Sequence, residues 1–235
     1  MAEAVGDIWH DVVTAQSTPD RAVVLAALVV VIVIVVVPRT WRIARYALTI
    51  AHEGSHALAA LSTGRQLAGI RVHSDTSGLT VSRGRPTGPG MILTALAGYV
   101  GPALVGLGGA HLLSSGHALA VLWLAVVLLA LILLQIRNFY GLYAVLVAGL
   151  AVFAISWWGR ADWQAFAAYV GVWFLLVGSP RAVLELQLQR RRGRGQSSDA
   201  DVLAKLTRLP GVVWVGFFLV VTLACLLLGA RQLLA

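Results

Sequence analysis

The sequence predicts an all-α polytopic membrane protein with six to seven transmembrane helices and one small β-hairpin. Three observations support this fold class. The chain is 59% hydrophobic and only 12% charged, whereas soluble domains carry about 25% charged residues. Long apolar segments recur along the chain and are separated by short polar segments. A single stretch, residues 67–83, changes from helical periodicity to alternation.

We divide the chain into a polar N-terminal tail, residues 1–21, and a single transmembrane domain, residues 22–235. The tail is acidic and has neither a basic N-terminal region nor a small-residue cleavage site, so we expect no cleavable signal peptide. The first apolar segment covers residues 22–37 and ends at Pro38. A helix of this length measures about 24 Å, just short of the hydrocarbon core, and snorkelling arginines at its ends extend it.

The second helix, residues 40–62, is less apolar because its first turns carry Arg42 and Arg45. We expect it to be buried among the other helices. The hairpin at residues 67–83 follows, since apolar residues alternate there on both sides of a polar turn, Ser74 to Gly78.

The rest of the chain contains further apolar segments and one basic segment. The apolar segments are residues 91–113, 117–136, 139–157, 163–178 and 211–230. Between the last two we expect a basic loop, residues 180–208, which contains Arg190 to Arg194. The positive-inside rule places this loop and the region from Arg39 to Arg45 on one side of the membrane. Five segments separate the two regions, so one segment is re-entrant or one assignment is wrong; residues 40–62 and 163–178 are the candidates.

The strongest chemical signal is His52-Glu53-Gly54-Ser55-His56 on the second helix. Residues four apart lie on one helix face, so His52 and His56 can offer imidazole nitrogens to one metal ion. Glu53 lies beside them, in the position of a general base for a metal-bound water. This pattern is typical of a zinc hydrolase. The alternative is a pair of polar histidines that line a helix interface.

Two histidines do not complete a catalytic zinc site, which needs a third protein ligand. Asp199 is one candidate, although an acid at the start of a helix also serves as a cap. His111 and His117 are alternative ligands, but loop histidines between two spans more often contact solvent. Asn138, between two apolar segments, either orients a substrate or satisfies a helix end.

Five segments carry a resemblance to a known family. They are His52–Leu58, Ser74–Val81, Gly98–Pro102, Arg137–Gly141 and Ser198–Asp201. In this order they resemble the site-2 protease family of intramembrane zinc metallopeptidases, in particular a compact bacterial branch without a PDZ domain. The resemblance spans roughly residues 45–215. Family members often place the third ligand, an aspartate, in an Asp-Gly pair that this chain lacks. Asp199 is assigned to that role by motif order.

The resemblance implies a zinc metalloprotease that cleaves a single-span membrane-protein substrate, such as a regulatory anti-sigma-type factor. We therefore expect a multi-pass protein of the cell membrane, in contact with the lipid bilayer. The net charge of +8 does not indicate nucleic-acid binding, because the arginines cluster at the ends of apolar segments, where topology explains them. The alternative function is a non-catalytic metal-binding membrane protein, a sensor or chaperone derived from such a protease.

Overall fold

The structure, a computed structural model, describes residues 2–193 and 198–235. Over this range the chain forms the helices α1 (Ala2–Val13), α2 (Arg21–Val36) and α3 (Pro38–Ser62), the strands β1 (Gln66–Val72) and β2 (Gly78–Arg83), and the helices α4 (Pro89–Ser114), α5 (Ala118–Gln135), α6 (Phe139–Trp158), α7 (Ala161–Arg191), α8 (Asp199–Thr207) and α9 (Gly211–Leu234). The predicted class, all-α and polytopic with a small hairpin, is confirmed. Among the described residues, five helices (α4, α5, α6, α7 and α9) are long and apolar enough to cross a membrane. The number is six, the lower predicted value, when α2 and α3 together form one span.

A sharp break separates α2 from α3. Val37 is extended, with φ −75° and ψ 122°, and Pro38 is the first residue of α3. Proline disfavours helical backbone in the residue before it and fits well at the first position of a helix. The two helices therefore meet at a bend of 104°. Residues 40–62 are one of the two segments that the sequence indicates as candidates for a re-entrant segment, and they lie within this bent pair.

Helix α4 lies at the centre of the bundle and packs against α3, α7 and α9. Its buried positions are mostly small residues, among them Ala95, Gly98, Ala103 and Gly106. Small residues let helices approach closely inside a membrane, where no hydrophobic effect drives them together. A methyl group at Gly106, for example, would lie 3.1 Å from side-chain atoms of α7. Helices α3, α4 and α7 all contribute residues to the lining of one cavity.

The predicted hairpin is present, and its first strand is held from both sides. Strands β1 and β2 are antiparallel, with Ile70 opposite Thr80. On its other edge β1 meets the connection between α5 and α6, where the Arg137 N–H donates to the carbonyl of Ile70 at 2.9 Å. The Asn138 amide group donates to the Val72 carbonyl at 2.8 Å and accepts from the Val72 N–H at 3.2 Å. Asn138 therefore anchors the hairpin, and its side chain does not cap α6.

The segment predicted as a basic loop, residues 180–208, is largely helical, so that prediction is wrong. Helix α7 continues to Arg191, and α8 begins at Asp199; Arg194 falls outside the described residues. The reason is packing. Val183 and Leu186, three residues apart on one face of α7, are buried in a cluster with residues of α4, α8 and α9. This apolar face stabilises the helix. Arg190 continues the same face toward α8, whereas Arg191 is exposed. Within the predicted tail, residues 2–13 form α1, which contacts α5.

We expect Asn138→Ala to loosen the hairpin. The substitution removes both hydrogen bonds to Val72, each worth about 0.5–1.5 kcal/mol, so the free energy of unfolding falls by about 1–3 kcal/mol. Amide exchange in β1, measured by mass spectrometry on detergent-solubilised protein, should accelerate. Phe139→Ala is the control, because the Phe139 side chain is 91% exposed. Unchanged exchange in Asn138→Ala, or equal acceleration in both variants, would contradict this role.

Candidate metal centre and active site

The structure brings the three predicted metal ligands together. His52 and His56 lie one turn apart on α3, and their Nε2 atoms are 3.1 Å apart. Asp199, the first residue of α8, places its Oδ2 atom 3.2 Å from Nε2 of His52 and 3.3 Å from Nε2 of His56. The three atoms form a nearly equilateral triangle. In the described part of the chain, this is the group of histidine and acidic side chains that can hold a metal ion.

The size of this triangle fits a zinc ion. Zinc bonds to nitrogen and oxygen measure about 2.0–2.2 Å, and tetrahedral angles then separate two ligand atoms by about 3.3–3.6 Å. The observed separations of 3.1–3.3 Å reach the lower end of that range. Two imidazoles and one carboxylate leave a fourth position open, as in catalytic rather than structural zinc sites.

The protonation of His56 also favours metal binding. Its Nδ1 atom lies 2.6 Å from the main-chain carbonyl of Thr94 on α4. A carbonyl oxygen only accepts hydrogen bonds, so Nδ1 carries the proton and donates it. In the neutral imidazole the lone pair is then on Nε2, which faces His52 and Asp199. Metal-binding histidines commonly make such a bond with the ring nitrogen that faces away from the metal.

Asp199 provides the negative charge of the site. Burial alone would raise the pKa of this carboxyl group, but the adjacent His56 and His52 hold the pKa well below its usual range. The group is therefore ionised at neutral pH. Among residues 2–193 and 198–235, its buried Oδ2 atom has no hydrogen-bond donor and faces the Nε2 atoms of the two imidazoles. A buried carboxylate oxygen that faces two ring nitrogens with so few donors is suited to bind a cation.

A neighbouring pair caps α8 in place of Asp199. Ser198 is the N-cap residue, and the Asp201 carboxylate accepts from the Ser198 hydroxyl at 2.6 Å and from the Ser198 N–H at 3.3 Å. These two residues form the reciprocal arrangement known as a capping box. The cap leaves the side chain of Asp199 available to the histidines.

The other candidate ligands lie elsewhere. His111 is exposed near the end of α4, thirteen residues beyond Gly98, which corresponds to about 20 Å along a helix. His117 precedes α5 and lies 3.2 Å from the Ser115 hydroxyl. Asn138 is engaged by β1. The structure brings none of these three side chains to the cluster of His52, His56 and Asp199.

Glu53 lies beside the cluster and under the hairpin. Its side chain is only 4% exposed. The hydroxyl of Thr80 on β2 lies 2.6 Å from Oε2 of Glu53 and 3.0 Å from the Glu53 main-chain oxygen. A methyl group at Gly78 would overlap Oε1 of Glu53. Strand β2 therefore covers Glu53 directly. No sequence pattern indicates these contacts, because they depend on how the hairpin docks on α3.

The candidate ligands and Glu53 line one cavity of about 870 Å³ between α3, β2, α4, α7 and α8. Its far end contains a charged group: the Glu185 carboxylate on α7 accepts from the Trp41 indole at 2.6 Å and pairs with Arg45 at 3.4 Å. Ionisable side chains inside an apolar bundle are costly and generally line a water-filled or functional space. The cavity therefore combines apolar walls with a group of ionisable side chains around the candidate ligands.

Glycines on α4 make room for the two histidines. A methyl group at Gly98 would lie 2.6 Å from Cε1 of His52 and would also overlap the ring of His56. A methyl group at Gly101 would overlap the side chain of Ser55. Two glycines three residues apart on α4 thus face the helix that carries the ligands. Tyr99 adds an edge-to-face contact with the His52 ring at 4.8 Å between ring centroids.

We expect Gly98→Ala to weaken metal binding by about 10-fold, since disturbing the groups that orient a metal ligand typically weakens affinity by about 10- to 100-fold. The added methyl group forces both imidazoles out of position. Gly108→Ala on the same helix is the matched control, because no described atom lies within 4 Å of the methyl group that it would add. Zinc affinity is measured by competition with a chelator. Equal affinities in the two variants would rule out the proposed packing of α4 on the ligands.

Comparison with known proteins agrees with this geometry. A family model described as Peptidase M50B-like matches residues 25–229, nearly the whole chain. Searches of curated proteins and of solved structures give no match. The matched range includes all three residues of the metal-competent cluster and Glu53. The chain therefore belongs to the Peptidase M50B-like family, the site-2 protease family of membrane metallopeptidases.

Proposed function

We propose that this protein is a zinc endopeptidase of the cell membrane, which hydrolyses peptide bonds of membrane-protein substrates. One observation carries the proposal: two imidazole nitrogens and a carboxylate oxygen lie 3.1–3.3 Å from one another, beside a buried glutamate in a polar cavity. Membership in a peptidase family supports the same function.

His52, His56 and Asp199 would hold the zinc ion, and each is supported by a different part of the fold. Thr94 orients the His56 ring, Tyr99 packs against His52, and the capped start of α8 directs Asp199. A zinc ion bound there would act as a Lewis acid and lower the pKa of a bound water molecule toward neutrality.

Glu53 is the proposed general base and acid. Its carboxylate accepts the proton from the attacking water and then donates it to the leaving amine. The Thr80 hydroxyl occupies Oε2, so Oε1 is the oxygen left for proton transfer. Gly78 packs against Oε1, and only a residue without a side chain leaves room there for the carboxylate. The hairpin thus fixes the carboxylate in one orientation.

The proposed substrate is a single-span membrane protein, such as a regulatory anti-sigma-type factor. A transmembrane helix hides its peptide bonds in internal hydrogen bonds, so cleavage requires an extended stretch. Strand addition binds such a stretch through main-chain hydrogen bonds and needs no particular sequence. In the described part of the chain, β1 pairs with β2 on one side and with Ile136 on the other, whereas the outer edge of β2 pairs with no strand. Strand β2 contacts Glu53 through Thr80 and Gly78, and its outer edge is the proposed docking site for the scissile segment.

The first test separates catalysis from metal binding. Glu53→Gln should keep about one zinc per chain and lose cleavage of a membrane-protein substrate by at least about 100-fold, since general acid–base catalysis contributes 10²–10⁴-fold. His56→Ala should lose the zinc itself. Metal analysis and a gel-based cleavage assay in proteoliposomes measure the two quantities. Full cleavage by Glu53→Gln would refute the base role. Zinc binding without cleavage in the wild type would favour the alternative function, a metal-binding sensor or chaperone.

The second test concerns Thr80. Thr80→Val keeps the shape of the side chain and removes the hydrogen bond to Glu53, so we expect the cleavage rate to fall by about 10-fold at unchanged zinc content. Thr80→Ser retains the hydroxyl and should restore most of the rate. The comparison is made on kcat at saturating substrate. Similar rates for the valine and serine variants would show that the hydroxyl has no role in orienting Glu53.

A further inference from the structure

Asp199 lies at a helix end, where the backbone is held less firmly than in the middle of a helix. Asp199 is the first residue of α8, a helix of only nine residues. The first turn of a helix has main-chain N–H groups without partners inside the helix, and helix ends fray. A metal ligand needs a fixed position, yet Asp199 occupies the end of a short helix.

Arg190, in the last turn of α7, spans this connection. Its guanidinium donates to the Ser198 hydroxyl at 3.1 Å and to the carboxylate of Asp201. Asp201 in turn accepts from both the hydroxyl and the N–H of Ser198. The three side chains form a closed hydrogen-bonded ring. One member, Ser198, immediately precedes Asp199. We name Arg190, Ser198 and Asp201 the α8 clamp.

Helix α9 holds the clamp from the other side. A methyl group at Gly211, the first residue of α9, would lie 3.0 Å from Cζ of Arg190 and 3.2 Å from one of its terminal nitrogens, with the other nitrogen closer still. The absence of a side chain at Gly211 therefore gives the guanidinium its space. The Arg190 and Asp201 side chains are each only 20% exposed, so solvent screens their ion pair less than a surface pair.

The clamp and the apolar packing of α8 perform different tasks. Ala200 and Leu203 are buried against Val215 and Phe218 of α9, and these contacts fix the helix as a body. The polar ring fixes its first turn. The Asp201 carboxylate also balances the charge of Arg190. The Asp199 carboxylate therefore faces the two histidines without a competing guanidinium. A guanidinium bound directly to Asp199 would compete with a metal ion for the same oxygens.

We propose that Arg190 is a positioning residue for metal binding, which holds Asp199 in place through Ser198 and Asp201. The inference rests on the proposed function, in which Asp199 is a zinc ligand. Arg190 is one of the arginines in the stretch from Arg190 to Arg194. The proposal gives it a role in metal binding that is distinct from setting the membrane topology. If topology were the only role, Arg190 and its neighbour Arg191 would be equivalent.

The test compares these neighbouring arginines in the full-length protein. We expect Arg190→Ala to weaken zinc binding by about 10- to 100-fold, the typical effect of removing a residue that holds a metal ligand in place. Arg191→Ala is the matched control, because Arg191 is exposed, and should bind zinc as the wild type does. Arg190→Lys should recover part of the affinity, because an ammonium group keeps the charge but not the fork of donors. Chelator competition gives the affinities.

Cobalt(II) substitution supplies a spectroscopic signature. The visible absorption of cobalt reports the number and geometry of its ligands, so loss of an ordered Asp199 should change the band shape and intensity in Arg190→Ala. The spectrum of Asp199→Ala is the reference for a site without this ligand. We expect the Arg190→Ala spectrum to shift toward that reference, and the Arg191→Ala spectrum to match the wild type.

A substitution at Gly211 tests the clamp a second time without changing Arg190. Gly211→Ala displaces the end of a flexible side chain rather than the backbone, so folding should be retained while the clamp is disturbed. Gly216→Ala is the control on the same helix, since no described atom lies within 4 Å of its added methyl group. We expect zinc affinity to fall in Gly211→Ala and to be unchanged in Gly216→Ala. This pair decides the question if Arg190→Ala fails to fold.

The outcomes separate the inference from the proposed function. A wild-type protein that binds no zinc would overturn the proposed function. A wild-type protein that binds zinc and loses it in Asp199→Ala, but keeps wild-type affinity and cobalt spectra in Arg190→Ala and Gly211→Ala, would overturn the inference alone. Weakened binding in both clamp variants, with wild-type binding in both controls, supports the inference.

Discussion

Two imidazole nitrogens and one carboxylate oxygen meet within 3.3 Å inside an apolar bundle, and the rest of the structure depends on this contact. Such a group is unfavourable in a membrane unless a cation or a proton lies between its members. The His56 ring directs its Nδ1 proton to Thr94 and away from the cluster. Nε2 is therefore the ring nitrogen that faces His52 and Asp199, as in a metal-binding histidine.

The surrounding helices and the hairpin hold the residues of this contact, and Glu53 beside it, in position. Helix α4 approaches α3 closely because Gly98 and Gly101 face it. The hairpin is tied to the α5–α6 connection by Asn138 and covers Glu53 with its second strand. The end of α7 and the start of α9 enclose the first turn of α8, which carries Asp199. These supports act on different candidate residues, so the candidate site depends on several elements of the bundle rather than on one helix.

The sequence predicted the parts of the site that are local and missed those that are long-range. The spacing of His52, Glu53 and His56 is a property of one helix, and their relation follows from its periodicity. Asp199 could be selected by motif order, but its position depends on a cap made by Ser198 and Asp201. Thr80, Thr94 and Arg190 carry no sequence signal of their own, since each acquires its role through a contact with a distant element. The extension of α7 was not predicted, because its buried apolar face consists of only a few positions, among them Val183 and Leu186. The arginines at residues 190–194 made the segment look like a polar loop.

The central claim is that a single zinc ion joins α3 to α8. Zinc-edge X-ray absorption of the purified, detergent-solubilised protein measures the ligands of that ion directly. We predict a four-coordinate site with two imidazole nitrogens and oxygen donors at about 2.0–2.2 Å. A spectrum without imidazole scattering, or a properly folded protein that retains no zinc, would contradict the claim.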